Sequence, residues 1–264
     1  MVGVGILAYN HAADLTRCVT SVKMHTPGVD ILVFDNSDKT REVETFVKKY
    51  RDIQYLTSRK NVGCTVSRNI MYRTFKRRHP QAQWLVIMDQ DVEVLPGWLP
   101  AMISTASKYP SAGIVAWPLA NMRPFPVDMR NGCITAAASV CHLHRMKALE
   151  DVEALWGGPW DERFFFFRFD SLMCDRMNLL GWRTHLILNR YNPNISWEQQ
   201  RCLIKHHHPH RGVKSHPRYN EITRASDALY KKIMREERWT PYDPLKQPYN
   251  WKFPGISCGQ SDRI

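Results

Sequence analysis

Asp89-Gln90-Asp91 follows directly on the apolar run Trp84-Leu-Val-Ile-Met88. Two carboxylates one residue apart at the end of a buried strand suit a hard divalent cation such as Mg or Mn, which takes oxygen ligands and keeps substrate phosphates in its shell. Read alone, the tripeptide also suits a solvated turn, because Asp favours turns. Asp35 ends a second apolar run, Ile31-Leu-Val-Phe34, where it reads as a turn or helix N-cap residue unless a ligand claims it. Asp170 stands just before a helical stretch from Ser171 to Leu180 and has the same two readings. The run His206-His-His208-Pro-His210 offers imidazoles that join carboxylates around a transition metal, or else form a solvated basic loop. No Cys/His zinc spacing and no Gly-rich phosphate loop of the Walker or dinucleotide kind is present, which removes support from kinase and dehydrogenase chemistry.

These residues need elements to hold them. Val2 to Ala8 reads as a strand, and Ala12 to Met24 as a helix with Leu15, Val19 and Val22 on one face. A strand at Ile31 to Phe34, a helix at Arg41 to Tyr50, a strand at Ile53 to Leu56, a turn at Asn61-Val-Gly63 and a helix at Thr65 to Arg77 lead to the Trp84 strand. The alternation predicts an α/β sheet with its ligand crevice outside the strand ends. Beyond Gly113 the pattern is less regular: strands are expected at Ile114 to Trp117 and Cys133 to Cys141, with a Pro-rich loop from Pro118 to Pro126 between them. A last helix is expected from Tyr219 to Arg238.

The 264 residues suffice for one domain with a substantial core, and 44% apolar with 23% charged residues is a globular composition. No apolar run approaches a membrane span and no signal-peptide pattern opens the chain. Seven cysteines at irregular spacing, without a C-x-x-C pair, read as reduced thiols, and a cytoplasmic setting is expected. The net charge of +12 implies a polyanionic partner. Residues 201–264 alone hold 13 Lys or Arg against 6 Asp or Glu, a net +7. Basic residues beside aromatics recur at Arg73, Lys76, Arg77 and Arg78, at Lys205, Arg211, Lys214 and Arg218, and at Lys231, Lys232, Arg235 and Arg238.

In order and spacing, Leu7-Ala-Tyr-Asn10, Val33-Phe-Asp-Asn-Ser37, Asn61-Val-Gly63 with Arg68-Asn69, and Met88-Asp-Gln-Asp91 resemble glycosyltransferase family 2, whose members have the GT-A fold. The likeness continues through Trp156-Gly-Gly158, Trp160-Asp-Glu162, Phe164 to Phe167 and Phe169-Asp170 to Arg176 and Gly181, and so covers residues 2 to 190. It implies a Rossmann-like nucleotide-binding half (1–100) and an acceptor-binding half (101–200) on a mixed central sheet, with 201–264 as a basic, His- and Pro-rich extension packed on the same domain.

Carried over by position, the resemblance implies that Ala8, Tyr9, Asn10, Asp35, Asn61, Arg68, Asp89 and Gln90 bind a nucleotide-sugar, with Arg68 facing the diphosphate. Asp89 and Asp91 would hold Mn or Mg, completed by a C-terminal histidine, for which His208 and His210 are the choice. Trp156, Gly157, Gly158, Trp160 and Phe169 would line the acceptor site. Asp170 matches the family's catalytic base. The preceding residue is Phe169 where relatives commonly carry Glu, which bears on acceptor binding. The implied reaction is inverting transfer from a UDP-sugar or similar donor to a hydroxyl. The acceptor is expected to be a hydroxymethylated pyrimidine in duplex DNA, or alternatively an envelope polysaccharide or lipid-linked sugar. A reading of another class is a non-catalytic nucleic-acid-binding protein on a degenerate GT-A scaffold.

Overall fold

The computed structural model describes residues 1–38, 40–117, 126–128, 133–134, 139–187, 203–207, 214 and 216–237. Strand β1 (Val2–Ala8), helix α1 (Ala12–His25), β2 (Asp30–Asp35), α2 (Glu42–Val47), β3 (Ile53–Thr57), α3 (Cys64–Arg78) and β4 (Trp84–Asp89) form the first half. After them come β5 (Val92–Val94), α4 (Trp98–Lys108), β6 (Ala112–Ala116), β7 (Pro126–Asp128), β8 (Cys133–Ile134), β9 (Cys141–Arg145), α5 (Met146–Trp156), α6 (Phe169–Leu179), β10 (Arg183–Leu186) and β11 (Ile204–His206). Helix α7 (Tyr219–Lys232) ends in wider π-type turns at Ile233–Glu237.

Nine strands make one mixed sheet in the order β3-β2-β1-β4-β9-β6-β10-β8-β7. The first four are parallel, and β9 then enters antiparallel between β4 and β6. The α/β expectation therefore holds, and the two expected halves share a single sheet. Along β4 the side chains alternate: Trp84, Val86 and Met88 join one core cluster with α1 and α4, while Leu85 and Ile87 join the other with α3, α5 and α6. That two-residue period under an unbroken apolar run is what a strand covered on both faces requires. Gly3 lets α3 lie close to β1, since a Cβ there would stand 2.1 Å from Phe75 Cε2.

Three boundaries differ from expectation. Helix α2 is shorter than Arg41 to Tyr50, because Lys49 and Tyr50 donate to the carbonyls of Phe46 and Val47 and so tighten its last turn into three-residue spacing. The stretch from Cys133 to Cys141 is not one strand. Ser139 and Val140 form a turn whose carbonyls accept from Arg68 and from the Asp89 amide, and β9 starts only at Cys141. The last helix gives way to π-type turns after Lys232, and Arg238 lies outside the described residues, as does Pro118 to Phe125. Helices α4 and α5 and strand β10 are additional to the expected elements.

A buried ionic hub joins the second half. The Asp161 carboxylate takes Arg163 Nη2 at 2.9 Å and Arg176 Nη2 at 2.8 Å. Burial alone would raise its pKa, but the hydrogen bond from Arg163 and the charges of Arg176 and Arg163 outweigh that and hold the carboxyl below its ordinary value. Asn69 of α3 reaches the same segment, donating to the Trp160 carbonyl at 2.7 Å and accepting from the Trp160 amide at 3.1 Å. Removing one member of such a cluster leaves uncompensated charge in the interior. Asp161→Asn is therefore expected to cost about 3–5 kcal/mol in urea unfolding near neutral pH. Because the folded pKa is depressed, Asp161 contributes stability above its unfolded pKa and loses it as pH falls, so the gap between the two proteins should narrow in acid.

Candidate donor and catalytic site

The parallel register sets Ala8 opposite Asp35 and Leu7 opposite Asp89, so the ends of β1, β2 and β4 share one edge of the sheet. The loops leaving that edge are tied together. Gln90 is buried and uses both ends of its amide on Tyr9, accepting from the Tyr9 amide at 3.0 Å and donating to its carbonyl at 2.8 Å. Asn10, in the left-handed region at φ 57°, donates its backbone amide to Ser37 Oγ at 2.9 Å. Asn36 and Asn61 pair through their side-chain amides at 2.8 Å, and the Asn61 oxygen also accepts from Gly63. Gly63 has φ +86°, and a Cβ there would meet Phe165 at 2.9 Å, so glycine is required both for the turn and for the close approach.

Asp35 is buried with both oxygens engaged, one by the Ser37 amide at 2.9 Å and one by Tyr55 Oη at 2.7 Å. Burial, then the Asp35 bond and charge, push the Tyr55 phenol well up. Tyr9 and Asn61 lie half-buried beside this edge, and burial followed by the charge of Asp38 raises the Tyr9 phenol.

Arg68 is the centre of the arrangement. Only 1% of it is exposed, yet its Nη2 donates to Asp89 Oδ1 and to the Ser139 carbonyl, both at 2.9 Å, and its guanidinium lies 5.1 Å over the Phe169 ring. Its Nε and Nη1 are buried with no acceptor among the described residues. The Asp89 side chain is 36% exposed but sits deep enough in the crevice that its carboxyl is pushed up to about 6. Desolvation is the main cause, Asp91 and Asp170 add to it, and Arg68 and His206 oppose it. Asp170, the second residue of α6, accepts from the Ser171 amide at 2.8 Å. Burial raises its pKa, against the Ser171 amide, the charge of Arg68 and the Ser139 amide. One cation thus faces Asp89 and Asp170 together.

Of the histidine run, His206 is the member brought to Asp91: its Nε2 lies 3.1 Å from Asp91 Oδ2. The pairing of β11 with β5 does this, placing His206 opposite Val92, while the His207 amide donates to the Asp91 carbonyl and His207 Nε2 meets Glu93 at 2.7 Å. His208 and His210 lie outside the described residues. Among the described residues, no three His, Cys, Asp or Glu side chains converge as a ready-made metal cluster. The signal for His206 was available as alternation, Val92-Glu-Val94 matching Ile204-Lys-His206.

The residues expected at the acceptor side divide. Trp156 and Trp160 are packed in the core, Gly157 caps α5 in the left-handed region at φ 73°, and its carbonyl accepts from Arg73 at 2.8 Å. Gly158 backs onto Asn69, where a Cβ would stand 3.0 Å from Nδ2. Phe169 is buried beneath Arg68, so it does not replace the expected Glu as a polar contact; it supplies an aromatic face. Cys18, Cys64, Cys141 and Cys174 are free thiols. No helix among the described residues is long and apolar enough to cross a membrane.

Parallel strands ending in a carboxylate-lined crevice, with an antiparallel strand wedged beside the last of them, define the class of GT-A glycosyltransferases. The chain belongs to glycosyl transferase family 2, whose family model matches residues 4–159. A curated relative, the N-acetylglucosaminyl-diphospho-decaprenol L-rhamnosyltransferase of Mycobacterium tuberculosis, is 23% identical over 222 residues, 67% of this chain and 70% of the relative. Among solved structures, S. aureus TarS 1–349 aligns with a TM-score of 0.52 at 16% identity, over 70% of this chain and 57% of that one. The mannosyltransferase PcManGT from Pyrobaculum calidifontis, solved with GDP-Man and Mn2+, aligns with 0.55 at 15% identity, over 70% and 54%. The chain thus spans a little over half the length of these solved relatives, and the likeness to them is one of fold.

Burial lowers the His206 pKa, but the Asp91 hydrogen bond and the charges of Asp91 and Asp89 more than offset it, so it lies above the usual histidine value. In an NMR titration the His206 imidazole should titrate above the ordinary histidine range in the native protein and fall in Asp91→Asn. A raised folded pKa means that the stability from this pair is complete below the unfolded pKa and is lost as pH rises through the folded one.

Proposed function

We propose that the chain is an inverting, divalent-cation-dependent glycosyltransferase that moves a sugar from a nucleotide-sugar, a UDP-sugar in the first instance, to an acceptor hydroxyl. The observation that carries this reading is the buried Arg68 between Asp89 and Asp170 at the edge where the parallel strands end. Ala8, Tyr9, Asn10, Asp35 and Asn61 form the rim on which the nucleoside lies, with Gln90 holding that rim in shape. Arg68, although buried, lends its positive charge to the edge beside Asp89 where a diphosphate would lie.

Asp91 and His206 offer a carboxylate oxygen and an imidazole nitrogen at one place, with the raised carboxyl of Asp89 nearby, a donor set that fits Mn or Mg completed by diphosphate oxygens. Asp91 and His206 would hold such a cation, which would supply charge neutralisation to a departing diphosphate. Asp170 removes the proton of the attacking hydroxyl from the face opposite the leaving group, which gives inversion through an oxocarbenium-like transition state. Of the residues expected on the acceptor side, Phe169 lies next to Asp170 and beneath Arg68, while Trp156 and Trp160 are packed in the core and support the site from behind.

For the acceptor, we favour a lipid-linked or envelope glycan, supported by the rhamnosyltransferase relative. Hydroxymethylated DNA is the second reading, favoured by the net charge of +12. Several of the basic residues behind that reading are locally paired: Lys76 with Glu150 and Glu153, Arg73 with Glu153 and Glu162, Arg78 with Asp30, and Lys205 with Glu93. Retention on duplex DNA at about 0.15 M salt, with sugar incorporated into hydroxymethylated DNA, would reverse this preference.

The donor reading is tested with UDP- and GDP-sugars in a thermal-shift panel. A true donor should raise the melting temperature with Mn or Mg and not with chelator, and Asp91→Ala should abolish that rise. Asp170→Asn should keep the shift but lower transfer by roughly 100- to 10,000-fold. In the native enzyme the acid limb of kcat should lie above the ordinary Asp range, because the base must be ionised and its pKa is raised. An Asp91→Ala protein that still hydrolyses donor at the native rate would remove the metal role, and absence of any donor shift or turnover would favour the non-catalytic scaffold.

A further inference from the structure

The loop of residues 164–168 links the Asp161 hub to α6 and therefore to Asp170. It is gripped from two sides. At the start of α3, the Cys64 amide donates to the Phe165 carbonyl at 2.7 Å and Thr65 Oγ1 donates to the Phe164 carbonyl at 2.5 Å. From the other side α7 descends on it: Ser226 Oγ, itself buried, donates to the Phe166 carbonyl at 2.9 Å, and Asp227 pairs with Arg168 Nε at 2.5 Å. Tyr219 lies edge-on to Phe167 with centroids 5.5 Å apart, and Ile222 completes a small apolar cluster with Phe165 and Phe166.

Between the two grips the chain does something costly. Phe167 and Arg168 are successive non-glycine residues at φ 62° and 61°, in the left-handed region that side chains disfavour. Such residues persist only where their surroundings over-determine them, and they gather at functional sites. The next residues are Phe169, under Arg68, and Asp170.

We infer that α7 is a positioning element for the active site: Ser226 and Asp227 hold the Phe167–Arg168 turn in its left-handed form and through it set the place of the Asp170 carboxylate. The inference rests on the reading of Asp170 as the base. The C-terminal segment, on this view, is part of the machinery at one remove, although it follows the family-matched residues 4–159 in sequence.

The test is Ser226→Ala/Asp227→Asn in the full chain, assayed by nucleotide release from UDP-GlcNAc and GDP-mannose with Mn2+ and water as acceptor. The kcat should fall about tenfold while KM for donor stays within about twofold, and the acid limb of the pH profile should move. Independently of any donor, amide exchange across residues 164–171 should quicken by about tenfold or more with β4 unchanged. Adding Arg168→Gly, which takes a positive φ without steric cost, should restore kcat. Tyr230→Phe keeps the ring beneath Arg168 and cuts only the bond from α7 to Asp175 on α6 (2.6 Å), which leaves the Phe167–Arg168 turn gripped; it should lower the melting temperature while leaving kcat and the pH profile in place. Should the double variant not fold, Ser226→Ala alone carries the same readouts.

A folded double variant with native kcat, pH profile and exchange overturns the inference, as does an equal loss of kcat in Tyr230→Phe or no recovery with Arg168→Gly. Asp170→Asn in the same assay separates the two claims. An inactive Asp170→Asn beside an unaffected double variant removes the positioning role alone, whereas an active Asp170→Asn removes both.

Discussion

Arg68 brings a full positive charge into the interior, and the cost of stripping water from it dictates what surrounds it. Asp89 meets it with a carboxylate, Ser139 turns a carbonyl toward it and so ends any continuous strand from Cys133, and Phe169 lays a ring under it. Each of these neighbours is drawn from a different element: the end of β4, the turn before β9 and the start of α6. Charge compensation of one guanidinium is thus what brings the candidate donor-side acid and the candidate base into one electrostatic neighbourhood. Phe169 thereby places an aromatic face against the cation rather than a third carboxylate beside Asp89 and Asp170.

The parts of this arrangement that follow from local sequence were readable in it. Apolar runs ending in Asp35 and Asp89 mark parallel strands because a strand buried on both faces has nothing polar until its end. The antiparallel entry of β9 was not readable. Cys141-His-Leu-His-Arg145 carries two polar imidazoles at positions that are fully buried, so neither alternation nor an apolar run announces it. The Trp156 and Trp160 motifs read as ligand-facing by resemblance, whereas the indoles are enclosed among core residues, Gly157 caps a helix and the Trp160 backbone partners the Asn69 amide. Sequence spacing gives no measure of burial for large aromatics that can serve either purpose.

The histidine run shows the same limit. Four candidate imidazoles within five residues are indistinguishable by composition, and the choice among them is made by a two-strand ladder, β5 with β11, that joins residues more than a hundred positions apart. The basic clusters likewise looked alike as strings of Lys and Arg. In three dimensions Arg73 and Lys76 of the cluster on α3 meet the acids Glu150 and Glu153 of α5, a helix additional to the expected elements.

Strand β4 is hydrogen-bonded along its length to β1 on one side and to β9 on the other. A seam between the first and second halves of the chain, of the sort along which lobes open and shut, would have to run through that double ladder and break it. The shared sheet therefore disfavours opening along β4 and leaves the loops hanging from the strand tips as the less costly place for movement.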